Sequence, residues 1–203
     1  MVLGGCKRDY VNILSDVVSA CNEGRGVTHI MMASGLNYTQ VRKYLSDAIS
    51  RNFIKVVSVR DRNMYLATSK GLEFIRGMRE LNNIIRGTFS ICEDEDMSSA
   101  SELAKSADVV IIDGGKDGRR GRLDLYACIL LYALEPASLT VLCNKCFMNR
   151  ASCVIIVKEL IKIRLLEKFS ALGDKRVKAL YGTTEKGLCY LRNYIKISRL
   201  LKP

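Results

Sequence analysis

Leu36-Asn37-Tyr38-Thr39-Gln40-Val41-Arg42-Lys43-Tyr44-Leu45 is the stretch from which the architecture is read. Asn37 has the short acceptor side chain that caps a helix. Gly35-Leu36 before it makes a tight turn, and Val41, Leu45, Ala48 and Ile49 then recur at the spacing of one buried helical face. A helix over about 38–52 is predicted. Upstream, Val27 to Ala33 reads as a short helix with Ile30 and Met31 inward. Before that, Val11, Leu14, Val17, Val18 and Cys21 give another helix, ended by Gly24 and Gly26. Downstream, Ile54 to Val59 is β-branched and extended, Arg60-Asp61-Arg62-Asn63 is a polar turn, and Met64 to Ala67 returns as a second strand. Thr68 caps a last helix whose apolar stripe is Leu72, Ile75, Met78 and Leu81.

Three helices, a hairpin and a fourth helix, with a short turn between the second and third, form a winged helix-turn-helix. The same series of residue types returns further along. A shift of 112 sets Glu23 on Glu135, Thr28 on Thr140, Asn37 on Asn149 and Phe53-Ile54 on Leu165-Leu166. After a four-residue insertion the shift is 116, and Tyr65, Thr68 and Lys70-Gly71-Leu72 fall on Tyr181, Thr184 and Lys186-Gly187-Leu188. One shift with one insertion, keeping apolar phase throughout, reads as a tandem duplication. The expected fold is mainly α with small β-hairpins (α+β). It comprises two tandem winged helix-turn-helix domains, 1–86 and 123–203, joined by a hinge over 87–122.

The Leu36 to Leu45 stretch, Phe53-Ile54 and Tyr65-Leu-Ala-Thr-Ser-Lys-Gly71 together resemble the small archaeal winged-helix DNA-binding regulators. The resemblance covers 9–85 well and 123–203 more loosely. It departs at Ala48 and Asn52, where the family pattern has a larger apolar residue and Gly. It implies double-stranded DNA as partner and a role in transcription regulation. It also implies a C-terminal helix that pairs as an antiparallel coiled coil, giving a homodimer or, within the tandem copies, a pseudo-dimer.

Charge agrees with a polyanion partner. The chain of 203 residues carries a net charge of +11, divided as +5 over 1–85, −2 over 86–122 and +8 over 123–203. Solubility alone would also account for a basic chain. The longest apolar run, Tyr126 to Leu134, is too short to span a membrane, and Met1 to Tyr10 lacks the apolar core of a signal peptide. A soluble, cytoplasmic, nucleoid-associated protein with no membrane partner is expected.

In a winged helix-turn-helix the third helix enters the major groove and the wing reaches neighbouring phosphates. The expected contacts in the first copy are Tyr38, Thr39, Gln40, Arg42 and Lys43, with Arg60 and Arg62 at the wing. An ordinary solvated face is the bland alternative. In the second copy Thr39, Gln40, Arg42 and Lys43 become Ala151, Ser152, Val154 and Ile155. Ile155 and Ile156 are therefore read as a protein-interaction surface. DNA contact there falls to Asn149 and Arg150 at the helix start and to Lys175, Arg176 and Lys178 in the second wing.

The segment between the copies combines acidic Cys92-Glu93-Asp94-Glu95-Asp96, a capping-box pattern at Ser99 to Glu102, apolar Val109 to Ile112 and a Gly-rich basic stretch from Gly114 to Arg122. The last has neither the glycine spacing nor the Lys-Ser/Thr of a phosphate-binding loop, and reads as a hinge. Eight cysteines read as reduced thiols. Cys143-x-x-Cys146 with Cys153 is the trio that a metal or thiol-sensing site would use, but small buried hydrophobes are the favoured account. No cofactor is expected. His29, the sole histidine, is read as a core or boundary residue, and no catalytic constellation appears, so the chain is read as a non-enzyme. The expected function is that of a sequence-specific DNA-binding transcriptional regulator. The alternatives are a non-specific chromatin or architectural binder and a protein-interaction subunit of a transcription complex.

Overall fold

Asn52 is the hinge on which the first half of the chain turns from helix to strand. In a computed structural model describing residues 8–59, 62–88, 120–170 and 179–202, its φ is 59°. Asn tolerates this left-handed conformation better than most residues, which explains its standing where glycine was expected. The chain divides into two compact units, Met1–Arg79 with Arg199–Pro203, and Glu80–Ser198.

In the first, α1 (Tyr10–Ala20), α2 (Val27–Ser34) and α3 (Tyr38–Ser50) precede a hairpin of β1 (Ile54–Val59) and β2 (Arg62–Ala67); α4 (Ser69–Arg86) follows, its residues from Glu80 onward counting with the second unit. The hairpin is antiparallel with Ile54 opposite Ala67 and Val59 opposite Arg62, so the polar turn is shorter than expected. Arg25 pairs with Tyr65 through reciprocal backbone bonds of 3.1 and 2.9 Å, adding a third edge. Leu14, Val17, Val18, Ile30, Val41, Leu45 and Ala48 close the helical core. Phe53 and Phe74 stack at 4.7 Å across the junction of hairpin and α4. Beyond Ile54 the strand β1 is exposed, which leaves the hairpin standing out as a wing.

Two details depart from the periodicity reading. Ile49 is exposed rather than inward, and the buried stripe of α4 is Phe74, Met78, Leu81 and Ile84, with Leu72 exposed and Ile75 half-buried. The reason is Gly71. Its missing side chain lets the helix start touch the Phe53 carbonyl, and that contact rotates Phe74 rather than Leu72 inward.

In the second unit, α5 (Arg122–Tyr132) leads to β3 (Ala137–Ser138), α6 (Leu139–Lys145) and α7 (Arg150–Lys162). A hairpin of β4 (Leu166–Phe169) and β5 (Leu180–Thr183) and then α8 (Glu185–Leu201) follow, the last helix counting with this unit up to Ser198. The sheet order is β3-β5-β4, all antiparallel. Helix α5 is apolar nearly all round and accordingly buried. Its one buried acid, Asp124, accepts the Gly121 N–H at 2.7 Å and the Tyr194 hydroxyl at 2.5 Å, so its burial is compensated by hydrogen bonds.

The backbone bonds that shape the first unit have counterparts in the second. Phe53 N–H donates to Ala48 O at 2.8 Å, and Leu165 N–H to Leu160 O at 2.9 Å. Ala67 N–H donates to Cys21 O at 3.0 Å, and Thr183 N–H to Ala133 O at 2.8 Å. The Thr68 hydroxyl donates to Asn52 O at 2.6 Å and the Thr184 hydroxyl to Arg164 O at 2.8 Å. Each of these hydroxyls also accepts, at 3.1 Å, the N–H of a glycine three residues on. Arg164, like Asn52, is left-handed, with φ 61°.

Candidate nucleic-acid interface

Asn37 builds the start of α3. Its side-chain oxygen accepts the Gln40 N–H at 2.9 Å, and Gln40 Oε1 accepts the Asn37 N–H at 3.2 Å, a reciprocal cap. The turn before it closes on Gly35, at φ 63°, with Leu36 N–H bonded to Met31 O at 3.2 Å. With Val41, Leu45 and Ala48 buried, the opposite side presents Tyr38, Thr39, Gln40, Arg42 and Lys43 to solvent. The Gln40 carbonyl oxygen accepts the cap bond, so its amide N–H₂ is the group it has to donate to a ligand. The Arg42 guanidinium lies 5.8 Å from the Tyr38 ring centroid, which orients it beside the helix start.

Between α3, the start of α2 and the wing runs an open cleft of about 700 Å³. Thr28, His29, Tyr38, Arg42, Arg62 and Asn63 are among its lining residues, so helix and wing cations face one space. Thr28, His29 and Asn63 were missed by the sequence reading. His29 is exposed rather than core, a correction with a simple cause: Ile30 and Ser34, one turn apart, take the inner side of α2, and a 100° step per residue turns His29 outward. Arg60 lies outside the described residues.

The second unit treats the matching positions differently. Asn149 is the N-cap of α7, its side chain accepting the Ser152 N–H at 2.8 Å, so it is engaged as a cap, and Arg150 next to it is exposed. Ile155 is 57% exposed, whereas Ile156 is only 8% exposed. The expectation of a two-isoleucine surface is corrected. Ile156 is three residues after Cys153, and it joins Cys153, Val157 and Leu160 on the buried stripe. Another residue takes its place outside. Phe147, between α6 and α7, is 88% exposed with φ 50°. It lies 112 residues after Gly35, and Met148 N–H bonds Cys143 O at 2.9 Å as Leu36 N–H bonds Met31 O. A bulky side chain in this conformation costs about 1–2 kcal/mol. Sequence reading passes over Phe147, and only its alignment with Gly35 under the 112-residue shift could have revealed it. The wing cations Lys175, Arg176 and Lys178 lie outside the described residues, as does most of the hinge segment.

The cysteines Cys128, Cys143, Cys146, Cys153 and Cys189 are all buried, as small hydrophobes would be, and no cluster of metal-binding geometry occurs among the described residues. Burial pushes the Cys21 and Cys153 thiols up to about 12, Cys153 further assisted by its hydrogen bond with Cys143. Cys146 is raised because it donates to Cys128 and is itself buried, and that same bond lowers Cys128. Raised thiols stabilise the folded state fully below the ordinary thiol range, and that contribution is lost as pH rises toward their folded values. The urea midpoint should therefore decline once pH passes about 8.5. A midpoint unchanged up to about pH 10 would contradict this account of the core.

Among the described residues no single helix is long and apolar enough to cross a membrane. Residues 7–86 match the model of a winged helix-turn-helix family. No match is found among curated proteins. A crystal structure of Sso10a-2, a DNA-binding protein from Sulfolobus solfataricus, aligns at 25% identity over 40% of this chain and 85% of that one, with a TM-score of 0.38. The first unit is thus a winged helix-turn-helix, with α2 and α3 as its helix pair and β1–β2 as its wing.

Proposed function

We propose that the chain is a sequence-specific, double-stranded DNA-binding transcriptional regulator. Thr39, Gln40, Arg42 and Lys43 read base edges, Tyr38 orients Arg42, and Arg60 and Arg62 hold the backbone. The observation that carries this reading is the shared cleft: Arg42 from the third helix and Arg62 from the wing line one open space beside a polar, exposed helix face. Cations from two elements, spread over a concave surface, suit a duplex better than a small anion.

The second unit is read here as another winged helix-turn-helix arising by tandem duplication. The paired backbone bonds, the two left-handed residues at Asn52 and Arg164, and the Thr–Gly contacts 116 positions apart support that reading. Its base-reading face is apolar, so its DNA contacts reduce to Arg150 and the wing cations Lys175, Arg176 and Lys178. Selection from a random duplex library with the full chain tests the function. A recovered motif supports it, and its length shows whether one half-site or two is read. Recovery of no motif, with uniform binding to all duplexes, would favour an architectural binder instead.

A further inference from the structure

The outward apolar side chains of the α6–α7 pair cannot hydrogen-bond to base edges, yet the chain holds an aromatic ring there at a conformational cost. Phe147 stands 88% exposed in the left-handed region, where Gly35 makes the same turn without strain. Ala151 and Ile155, one helical turn apart, continue an apolar strip along α7, and Val141 on α6 is 45% exposed. A bulky residue kept in a sparsely populated backbone region is an outlier that calls for a function.

Charge identifies what covers the strip. Residues 136–158 contain Lys145, Arg150 and Lys158 and no Asp or Glu. All three cations are exposed. The next acid, Glu159, is taken up by Arg122 and the Tyr126 hydroxyl. A second copy seated face to face would bring like charges together and is disfavoured. A duplex would satisfy the cations, but Phe147 and Ile155 would have to desolvate polar base edges and phosphates without replacing their hydrogen bonds. An amphipathic helix with an apolar stripe and acidic flanks meets both requirements, in the helix-on-groove mode of peptide recognition.

We infer that the apolar strip Val141–Phe147–Ala151–Ile155, rimmed by Lys145, Arg150 and Lys158, is a docking surface for an acidic amphipathic helix of a partner protein. The inference goes beyond the DNA reading of the first unit and stands without it.

The test uses the full chain and a fluorescent synthetic helical peptide with leucines at i, i+3, i+4 and i+7 and glutamates elsewhere. A second peptide has lysine in place of every glutamate. The glutamate peptide should bind and the lysine peptide should not. Phe147→Gly should weaken binding by roughly tenfold or more, while its melting temperature stays at or above the parent's, because glycine relieves the left-handed residue. Ile155→Ser should weaken binding independently. No binding of the glutamate peptide, or equal binding to parent and both variants, overturns the proposal. So does a duplex that displaces the peptide and itself binds Phe147→Gly more weakly, which would assign the strip to DNA. A parent dimer that Phe147→Gly converts to monomer would assign it to a second copy. Duplex affinity measured on the same variants reports the DNA reading separately, since neither residue belongs to α3.

Discussion

The double variant Arg42→Ala/Lys43→Ala is expected to lose specific duplex binding and keep its fold. Both side chains are exposed on the outward face of α3, away from the Val41–Leu45–Ala48 contact, so their removal opens no cavity. Surface changes of this kind alter stability by no more than about 0.5 kcal/mol. A base-directed contact is worth about 1–3 kcal/mol, so losing two weakens specific binding on the order of a hundredfold or more. The salt dependence of what remains should be shallower, because fewer counterions are released. Affinity by titration and footprinting on the selected sequence are the measurements. An unchanged footprint with unchanged affinity would remove α3 from the role assigned to it.

The largest expected loss of stability comes from a single methyl group. An alanine Cβ at Gly71 would lie 2.2 Å from the Phe53 carbonyl oxygen and 3.2 Å from a Val18 methyl. At Gly187 it would lie 2.3 Å from the Leu165 carbonyl oxygen and 2.6 Å from Thr183 Cγ2. Neither oxygen can give way cheaply. Each accepts the backbone N–H of the threonine that starts the following helix, at 2.9 Å for Thr68 and 3.2 Å for Thr184. Gly71→Ala and Gly187→Ala must therefore part the helix from the strand and break that bond. Each should cost about 3 kcal/mol or more, the upper end for overpacked sites. Denaturant unfolding of each variant checks this, and a loss below about 1 kcal/mol would mean that the junction yields without breaking.

The two glycines also show how far the sequence could be read. Lys70-Gly71-Leu72 and Lys186-Gly187-Leu188 were visible as a repeat, and Asn37 and Thr68 marked helix starts that the structure keeps. What the pattern could not supply was rotation. In α4 either Leu72–Ile75 or Phe74–Met78 satisfies helical periodicity, and only the tertiary contact at Gly71 chooses the second. The same ambiguity misassigned Ile156, which aligned with half-buried Tyr44 and was counted as outward. His29 was misread because a short apolar helix offers too few residues to define its inner side. Phe147 was overlooked for a different reason. Hydrophobic residues in turns look like core, and only the glycine at the matching position reveals that this one sits outside.

The junction made by Thr68 and Gly71, and again by Thr184 and Gly187, rests on main-chain atoms and two small residues. None of the outward side chains of α3 or α7 takes part in it. Each unit is therefore a chassis whose working surface can drift without loosening the frame. Transplanting Thr, Gln, Arg and Lys into positions 151, 152, 154 and 155 would leave every contact of that junction untouched, so the outward face of α7 can be recast while the frame holds.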